Sequence, residues 1–231
     1  SMNIDHSKTY KNRSLKNIPH QVRLGFIKKT IRAAGRVESY CDVGCSNGYI
    51  TRIISEESGA RSVVGYDHCS ENLELAAAAQ PGANFLVLDL NVLRKCDEVY
   101  DLVTCFETLE HVGDLKNAIA NLLSLKKEGG LLFLSVPIEV GLVGWIKALL
   151  KVYLYGYKFS EISNGQPEGT LRRQYFYALR TGGDISAFRP KASGYGTHFG
   201  FDCHQVDQIL RDSAYNYRAW NKFTTRFYLI R

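Results

Sequence analysis

The sequence predicts an α/β protein built on a doubly wound, mostly parallel sheet that ends in an antiparallel hairpin. Three observations lead to this prediction. Short apolar runs alternate with helical patterns between residues 39 and 137. The run 131–137 is apolar throughout, as in strands that are buried on both faces. The last residues hold two alternating, aromatic segments joined by a short turn, which indicates an edge hairpin.

The first half of the chain provides four strands and three helices. Val22, Phe26, Ile27 and Ile31 recur at helical spacing, so a helix is predicted over 21–34. Further on, short apolar runs predict strands, and the helical patterns that alternate with them predict helices. The strands are 39–44, 61–67, 84–90 and 101–106, and the helices are 48–58 and 70–79.

The second half begins with a predicted helix over 115–130, which two glycines would close, and the apolar strand 131–137. A helix is predicted over 203–212, with strands over 215–220 and 225–230. We expect one domain over 2–231. Residues 138–201 would form an inserted cap that recognises the substrate, because so long a connection is usually functional.

Composition excludes several classes of protein. The chain is 45% hydrophobic and 23% charged, as in ordinary globular proteins, and holds no uncharged run long enough to span a membrane. Its six cysteines form no C-x-x-C pair, which argues against a zinc knuckle. We therefore expect a reducing compartment, the cytoplasm. The net charge of +6 does not by itself indicate nucleic acid.

The stretch "DVGCSNG" at 42–48 joins a strand to a helix. Gly44 and Gly48 permit a tight turn and a close approach of the backbone to a ligand. The pattern is neither a P-loop nor G-x-G-x-x-G, so a plain connection remains the alternative. Asp67 and Asp89 end the next two strands, where an acidic side chain can accept hydrogen bonds from ribose hydroxyls.

These residues resemble the class I S-adenosylmethionine-dependent methyltransferases. The first motif of that family is an acidic residue followed by G-x-G-x-G, and the resemblance covers 37–137 and extends to 198–231. It implies a Rossmann-like, seven-stranded sheet, S-adenosylmethionine as cofactor and S-adenosylhomocysteine as product. Asp67 would bind the ribose and Asp89 the adenine amino group. The residues predicted to bind the cofactor are Asp42, Gly44, Ser46, Gly48, Asp67, His68, Asp89, Leu90, Cys105 and Phe106.

The stretch "FETLEHV" at 106–112 holds Glu107, Glu110 and His111, which would share one face of a helical turn. They could bind a metal, transfer protons or simply form a solvated helix start. His198 in "GTHFGFD" could join them, act as a general base alone or be a structural loop histidine.

These four residues resemble two subfamilies, most closely the O-methyltransferases of ubiquinone biosynthesis and also the small-RNA 3′-end 2′-O-methyltransferases. The resemblance implies that Glu107, Glu110, His111 and His198 are catalytic and bind Mg²⁺, Mn²⁺ or Zn²⁺ beside the acceptor hydroxyl.

The inserted segment is basic and aromatic. Residues 141–200 hold eight Lys/Arg against three acidic residues. This composition suits a small acceptor that is anionic or has an aromatic or apolar part, and less well a nucleic-acid end. The apolar, basic pattern 141–159 indicates a buried cap helix, a peripheral membrane contact or a dimer surface. Residues 172–180 are the candidate for substrate contact.

The sequence therefore predicts a methyltransferase that uses S-adenosylmethionine to O-methylate a small-molecule hydroxyl, aromatic, sugar or lipid-linked, with help from a metal. An RNA 2′-O-methyltransferase and a non-catalytic protein that binds the cofactor remain alternatives.

Overall fold

The computed structural model describes residues 17–94, 97–155, 167–189, 194–196, 198–213 and 215–231. The helices are α1 (Ile18–Ala34), α2 (Tyr49–Ser58), α3 (Ser70–Ala79), α4 (Leu115–Leu125), α5 (Gly141–Tyr155), α6 (Glu168–Thr181) and α7 (His204–Asp212). The strands are β1 (Ser39–Val43), β2 (Ser62–Asp67), β3 (Asn84–Val87), β4 (Tyr100–Phe106), β5 (Lys126–Pro137), β6 (Tyr217–Lys222) and β7 (Thr225–Ile230).

The seven strands form one sheet in the order β3-β2-β1-β4-β5-β7-β6. The first five strands pair in parallel, and β7 pairs antiparallel with both β5 and β6. The predicted fold class and the terminal hairpin are therefore confirmed. The order reverses at β1, which lies between β2 and β4. Ligands of such sheets bind at this reversal, beyond the carboxyl ends of the strands.

Helices cover both faces of the sheet. Since successive side chains of a strand point to opposite faces, Phe133 on β5 packs with Ile27 and Ile31 of α1 on one side. Its neighbours Leu132 and Leu134 pack with α4 and α7 on the other side. Burial on both faces explains why the sequence of β5 is a continuous apolar run.

The predicted helix over 115–130 is wrong for its last five residues, 126–130. The helix ends at Leu125, and the chain from Lys126 onward is extended and assigned to β5. Residues 126–128 contain good helix formers, but Lys126 pairs with Tyr100 of β4, so pairing in the sheet overrides local propensity. Gly130 does not close a helix; a Cβ there would lie 3.0 Å from the carbonyl oxygens of Tyr100, Asp101 and Lys127.

Strand β3 is shorter than the predicted 84–90, because the chain leaves the sheet after Val87. The following segment is held by Asn121 of α4. Its amide nitrogen donates to the carbonyl oxygens of Leu90, at 3.2 Å, and Val92, at 2.9 Å, and its oxygen accepts from the Arg94 N–H. The backbone around Leu90 is thereby fixed.

Helices α5 and α6 of the inserted segment pack on each other around a third apolar cluster. Ala148 of α5 and Tyr175 and Leu179 of α6 are buried there, together with Phe199. Residues 156–159 of the predicted helix 141–159 lie outside the described residues. Of the helices that the structure describes, none combines the length and apolarity needed to cross a bilayer.

Candidate active site

A cavity of about 720 Å³ opens at the carboxyl ends of β1, β2 and β4. This volume lies in the range of small-molecule sites. Ten predicted site residues line the cavity. The described residues that line it include Asp42, Gly44, Ser46, Asp67, His68, Leu90, Phe106, Glu107, Glu110 and His111.

The turn after β1 presents its backbone to the cavity. Gly44 has a φ of 79°, and a Cβ on it would lie 2.1 Å from Oγ1 of Thr108. Gly44 is therefore required both by its conformation and by the close approach of Thr108. The N–H groups of Gly44 and Cys45 both donate to the carbonyl oxygen of Tyr66, which ties the turn to β2.

Asp67 connects three parts of this end of the cavity. Its Oδ2 accepts from the Ser46 N–H at 2.9 Å, and its Oδ1 accepts from the Cys69 N–H at 3.0 Å. The carboxylate is 7% exposed and lines the cavity. A carboxylate has about four acceptor positions, so after these two bonds it can still accept from two hydroxyl groups of a ligand.

Asp42 lies beneath the turn and is bound from two sides. Its Oδ2 accepts from the hydroxyl of Thr51 at 2.6 Å and its Oδ1 from the hydroxyl of Thr104 at 2.8 Å. Burial raises the pKa of Asp42 to about 6, although the hydrogen bonds from the two hydroxyl groups act in the opposite direction and lower it. Asp42 thus anchors α2 to β4 and places a partial negative charge under the cavity floor.

The cavity wall beside His68 is more apolar. Leu88 and Leu90 line it beside His68 and Tyr195. The Leu90 N–H donates to the hydroxyl of Tyr195 at 2.9 Å, and the Tyr195 ring stacks on His68. Asp89 does not line the cavity here; its Oδ1 accepts from the backbone and side-chain nitrogens of Asn91.

The stretch 106–112 is not the regular helical turn that the spacing suggested. Glu107 has a φ of 51°, and only Leu109–His111 form a short 3₁₀ helix. Glu107 lines the same cavity as Glu110 and His111 but has partners of its own. Its Oε2 lies 2.5 Å from Nη1 of Arg23 on α1, and its Oε1 accepts from the Ser135 hydroxyl at 3.1 Å.

Glu110 is buried rather than solvated, so a solvated helix start is the wrong interpretation for this residue. It is 3% exposed, and its Oε2 has no hydrogen-bond partner among the described residues. Burial raises its pKa well above the usual range, and the charge of Glu107 raises it further. A buried, unpartnered carboxyl oxygen is rare in folded proteins and is typical of a site that a ligand completes.

His111 is oriented by the segment that precedes His198. Its Nδ1 lies 2.8 Å from the carbonyl oxygen of Gly196, which can only accept, so Nδ1 carries the proton. In the neutral ring Nε2 then carries the lone pair, and it lies 4.0 Å from Oε1 of Glu110. The ring of His198 lies edge-on to that of His111, with 5.9 Å between centroids.

The four predicted metal ligands are therefore brought near one another without forming a coordination sphere. Glu110, His111 and His198 adjoin, whereas Arg23 and Ser135 hold Glu107. Within the described part of the chain, the potential ligands whose donor atoms lie within 4.8 Å of one another are instead three consecutive residues, Asp202, Cys203 and His204. That group sits at the start of α7, away from the cavity-lining residues.

Several predicted positions lie outside the cavity lining. Gly48 begins α2 with a φ of 72°, and Cys105 is fully buried in the sheet. None of the described residues that line the cavity comes from 172–180, the predicted substrate contact. In that stretch Tyr175 and Leu179 are buried, whereas Tyr177 is exposed.

Sequence reasoning assigned no role to several cavity-lining residues, and four of these lie outside the predicted motifs. His20 and Arg23 come from α1, Tyr49 from the start of α2, and Tyr195 from the inserted segment. His20 and Arg23 gave no signal because they reach the cavity from a distant part of the chain. Tyr49 directly follows the stretch 42–48, and Tyr195 lies three residues before His198.

A glycine turn after β1, a buried acidic residue at the end of β2 and a cavity at the reversal of a 3-2-1-4-5-7-6 sheet define the class I S-adenosylmethionine-dependent methyltransferases. The sequence profile described as "Methyltransferase domain" matches residues 12–174. The chain belongs to that family, and S-adenosylmethionine is the cofactor of the class.

The curated relatives that the chain matches are also methyltransferases. The chain is 31% identical over 154 residues to a ubiquinone biosynthesis O-methyltransferase of Coxiella burnetii. The aligned region covers 64% of this chain and 60% of the relative. The corresponding protein of Pectobacterium atrosepticum is 32% identical over 135 residues, 56% of this chain and 54% of the relative. The chain thus spans about 60% or less of the length of these relatives.

Solved structures share the fold. The magnesium protoporphyrin IX methyltransferase of Synechocystis PCC 6803, with bound S-adenosylhomocysteine, matches with a TM-score of 0.58 and 16% identity, covering 97% of this chain and 91% of that one. The N-methyltransferase NodS of Bradyrhizobium japonicum matches with a TM-score of 0.56 and 13% identity, covering 92% and 96%. At these identities the likeness concerns the fold alone.

Proposed function

We propose that this protein transfers the methyl group of S-adenosylmethionine to the hydroxyl oxygen of a small molecule. The observation that carries the proposal is the pair formed by Glu110 and His111 at one end of a cavity whose other end holds Asp67. The cofactor would supply a reactive sulfonium methyl, so the chain has to hold the acceptor in line and remove its proton.

The residues present fit the cofactor. The close approach of Gly44 to Thr108 leaves the turn without side-chain bulk, and Asp67 retains acceptor capacity toward the cavity. Gly44, Ser46 and Asp67 would bind the methionine and ribose parts, and Leu90 would lie beside the base. At the other end the lone pair of His111 Nε2 is available to accept the proton of a hydroxyl group.

The donor set at the acceptor end also fits a divalent metal. Glu110 Oε2 is buried without a partner among the described residues, and His111 keeps Nε2 available because Nδ1 donates to Gly196. Glu110, His111 and His198 would hold Mg²⁺, Mn²⁺ or Zn²⁺, with Glu107 joining them only if Arg23 releases it. Such an ion would lower the pKa of the acceptor hydroxyl.

Replacement of His111 or His198 by alanine should separate catalysis from cofactor binding. We expect a roughly 10²- to 10⁴-fold fall in transfer rate, the usual size of a general-base contribution, with unchanged affinity for S-adenosylhomocysteine. The measurement is product formation with phenolic, sugar and lipid-linked hydroxyl acceptors. His204→Ala is the matched control, since His204 is exposed and pairs with Asp202.

The metal is tested on the same proteins by calorimetric titration of Mg²⁺, Mn²⁺ and Zn²⁺ into chelator-treated protein saturated with S-adenosylhomocysteine. One bound ion, lost in His198→Ala, supports the metal-assisted reaction. Absence of binding leaves His111 as the candidate base without a metal. Wild-type transfer rates in both histidine variants would refute the assignment of the site. Transfer to RNA alone, or binding without any transfer, would favour the alternative functions.

We further propose that residues 138–201 act as a cap and that α5 touches a lipid surface that carries the acceptor. Leu142, Ile146, Leu150 and Tyr153 follow one another at helical spacing and are exposed, Leu142 by 73% and Tyr153 by 83%. On α6, which packs against α5, Arg173 and Arg180 are exposed. An exposed apolar stripe on one helix, with exposed arginines on the helix packed against it, suits an anionic bilayer surface.

Leu142→Glu combined with Leu150→Glu should abolish binding to vesicles that contain anionic lipid, because both charges would enter the apolar layer. Co-sedimentation with such vesicles measures the effect. Leu93→Glu serves as control, since Leu93 is a 62% exposed leucine outside the cap. Equal binding of wild type and double variant would exclude this surface. A cytoplasmic location stays a prediction.

A further inference from the structure

The aromatic ring of Tyr195 lines the cavity beside His68 and Leu90. Its hydroxyl accepts from the Leu90 N–H at 2.9 Å. Its ring stacks on that of His68, with centroids 3.8 Å apart and planes inclined by 14°. No other group can stack on this face of His68 or accept from this N–H while Tyr195 remains there.

This place is where the base of an adenosine ligand has to lie. If Asp67 accepts from the ribose hydroxyls, the base extends from the ribose toward the neighbouring wall, which Leu88, Leu90 and His68 form. A purine needs two flat apolar surfaces and a hydrogen-bond donor in its plane. The Leu90 N–H is a fixed donor, because Asn121 holds the Leu90 carbonyl group.

We propose that Tyr195 is an internal competitor of adenine, which it mimics by stacking on His68 and accepting from Leu90. The proposal rests on the function proposed above. Adenine and the Tyr195 ring require the same N–H and the same ring face, so cofactor binding has to displace Tyr195. Burial raises the pKa of the Tyr195 phenol to about 12, so the phenol that occupies this position is neutral.

The displacement of Tyr195 would also affect His111 at the acceptor end of the cavity. Gly196, the next residue, donates its N–H to the carbonyl oxygen of His111 at 2.8 Å and accepts from Nδ1 of His111 at 2.8 Å. The two bonds make residues 195 and 196 a direct link between the adenine end and His111. Tyr195 therefore determines cofactor affinity, and its departure shifts the group that orients the candidate base.

Replacement of Tyr195 should strengthen binding of adenosine ligands. Tyr195→Phe keeps the stack and loses the bond to Leu90, so S-adenosylhomocysteine should bind roughly twofold to tenfold more tightly, the net worth of one hydrogen bond. Tyr195→Ala should bind still more tightly. The affinity for adenosine should rise by the same factor as the affinity for S-adenosylhomocysteine. Calorimetry measures all three proteins, with Tyr177→Phe as control because Tyr177 is exposed on α6.

Hydrogen exchange of the Leu90 amide gives a second readout. It should be faster in ligand-free Tyr195→Phe than in the ligand-free wild type, and equally slow in both once S-adenosylhomocysteine is bound. Weaker or unchanged binding by Tyr195→Phe would overturn the inference, because Tyr195 would then be a wall of the adenine pocket or a bystander. If the wild type binds neither ligand, the proposed cofactor site fails, and this inference fails with it.

Discussion

Asp67→Ala is expected to abolish useful affinity for the cofactor. The carboxylate would lose two charge-assisted bonds to ribose hydroxyls, each worth about 1.5 to 3 kcal/mol, so affinity should fall roughly a hundredfold to ten-thousandfold. The variant also loses the bonds that Asp67 accepts from the N–H groups of Ser46 and Cys69. Calorimetric titration with S-adenosylhomocysteine measures the effect.

Two further variants test whether the loss of affinity is due to the carboxylate of Asp67. Asp67→Asn keeps the shape and one acceptor oxygen, so it should fold normally and lose less affinity than Asp67→Ala. Asp89→Asn should have a smaller effect, since Asp89 bonds to Asn91 and does not line the cavity in the present arrangement. An unchanged affinity in a folded Asp67→Ala protein would show that the ribose assignment is wrong.

Gly44→Ala is expected to destabilise the protein and to weaken cofactor binding together. The new Cβ would lie 2.1 Å from Oγ1 and 2.6 Å from Cγ2 of Thr108, and φ of 79° is unfavourable for alanine. Overpacking costs about 1 to 3 kcal/mol and the left-handed conformation about 1 to 2 kcal/mol, so the free energy of unfolding should fall by roughly 2 to 5 kcal/mol. Chemical denaturation measures this change.

The double variant Gly44→Ala with Thr108→Ala separates the two causes. Removal of Oγ1 and Cγ2 of Thr108 should restore most of the part that is due to overpacking and leave the part that is due to φ, since only Cβ of Thr108 stays close, at 2.9 Å. Gly82→Ala is the control, because a Cβ there meets nothing within 4 Å and φ is not positive. If the double variant is no more stable than Gly44→Ala, contact with Thr108 is not a source of the loss.

The fold was accessible from the sequence because its determinants are local and periodic. The apolar run of β5 follows directly from burial on two faces, whereas β7 mixes buried and partly exposed positions. Local patterns failed where tertiary pairing prevailed. Lys126 belongs to β5 through its partner Tyr100 and not to the helix that its propensity favours, and β3 ends early because Asn121 holds the chain near Leu90.

The cofactor end could be predicted in part for a similar reason. In a parallel sheet the residues that follow neighbouring strands meet at one edge, so Gly44 and Asp67 could be placed together from their positions in the chain. The acceptor end could not be derived in this way. The pairing of Glu107 with Arg23 joins β4 to α1, and the bond of His111 to Gly196 spans 85 residues.

The sequence by itself determined the class of protein, the order of its elements and the edge of the sheet that carries the site, since each depends on spacing along the chain. The tertiary structure alone decided that Glu107 is bound by Arg23, that Glu110 is buried with an unpartnered oxygen among the described residues, and that Tyr195 stacks on His68. These features depend on contacts between segments far apart in the chain, and no local pattern encodes them.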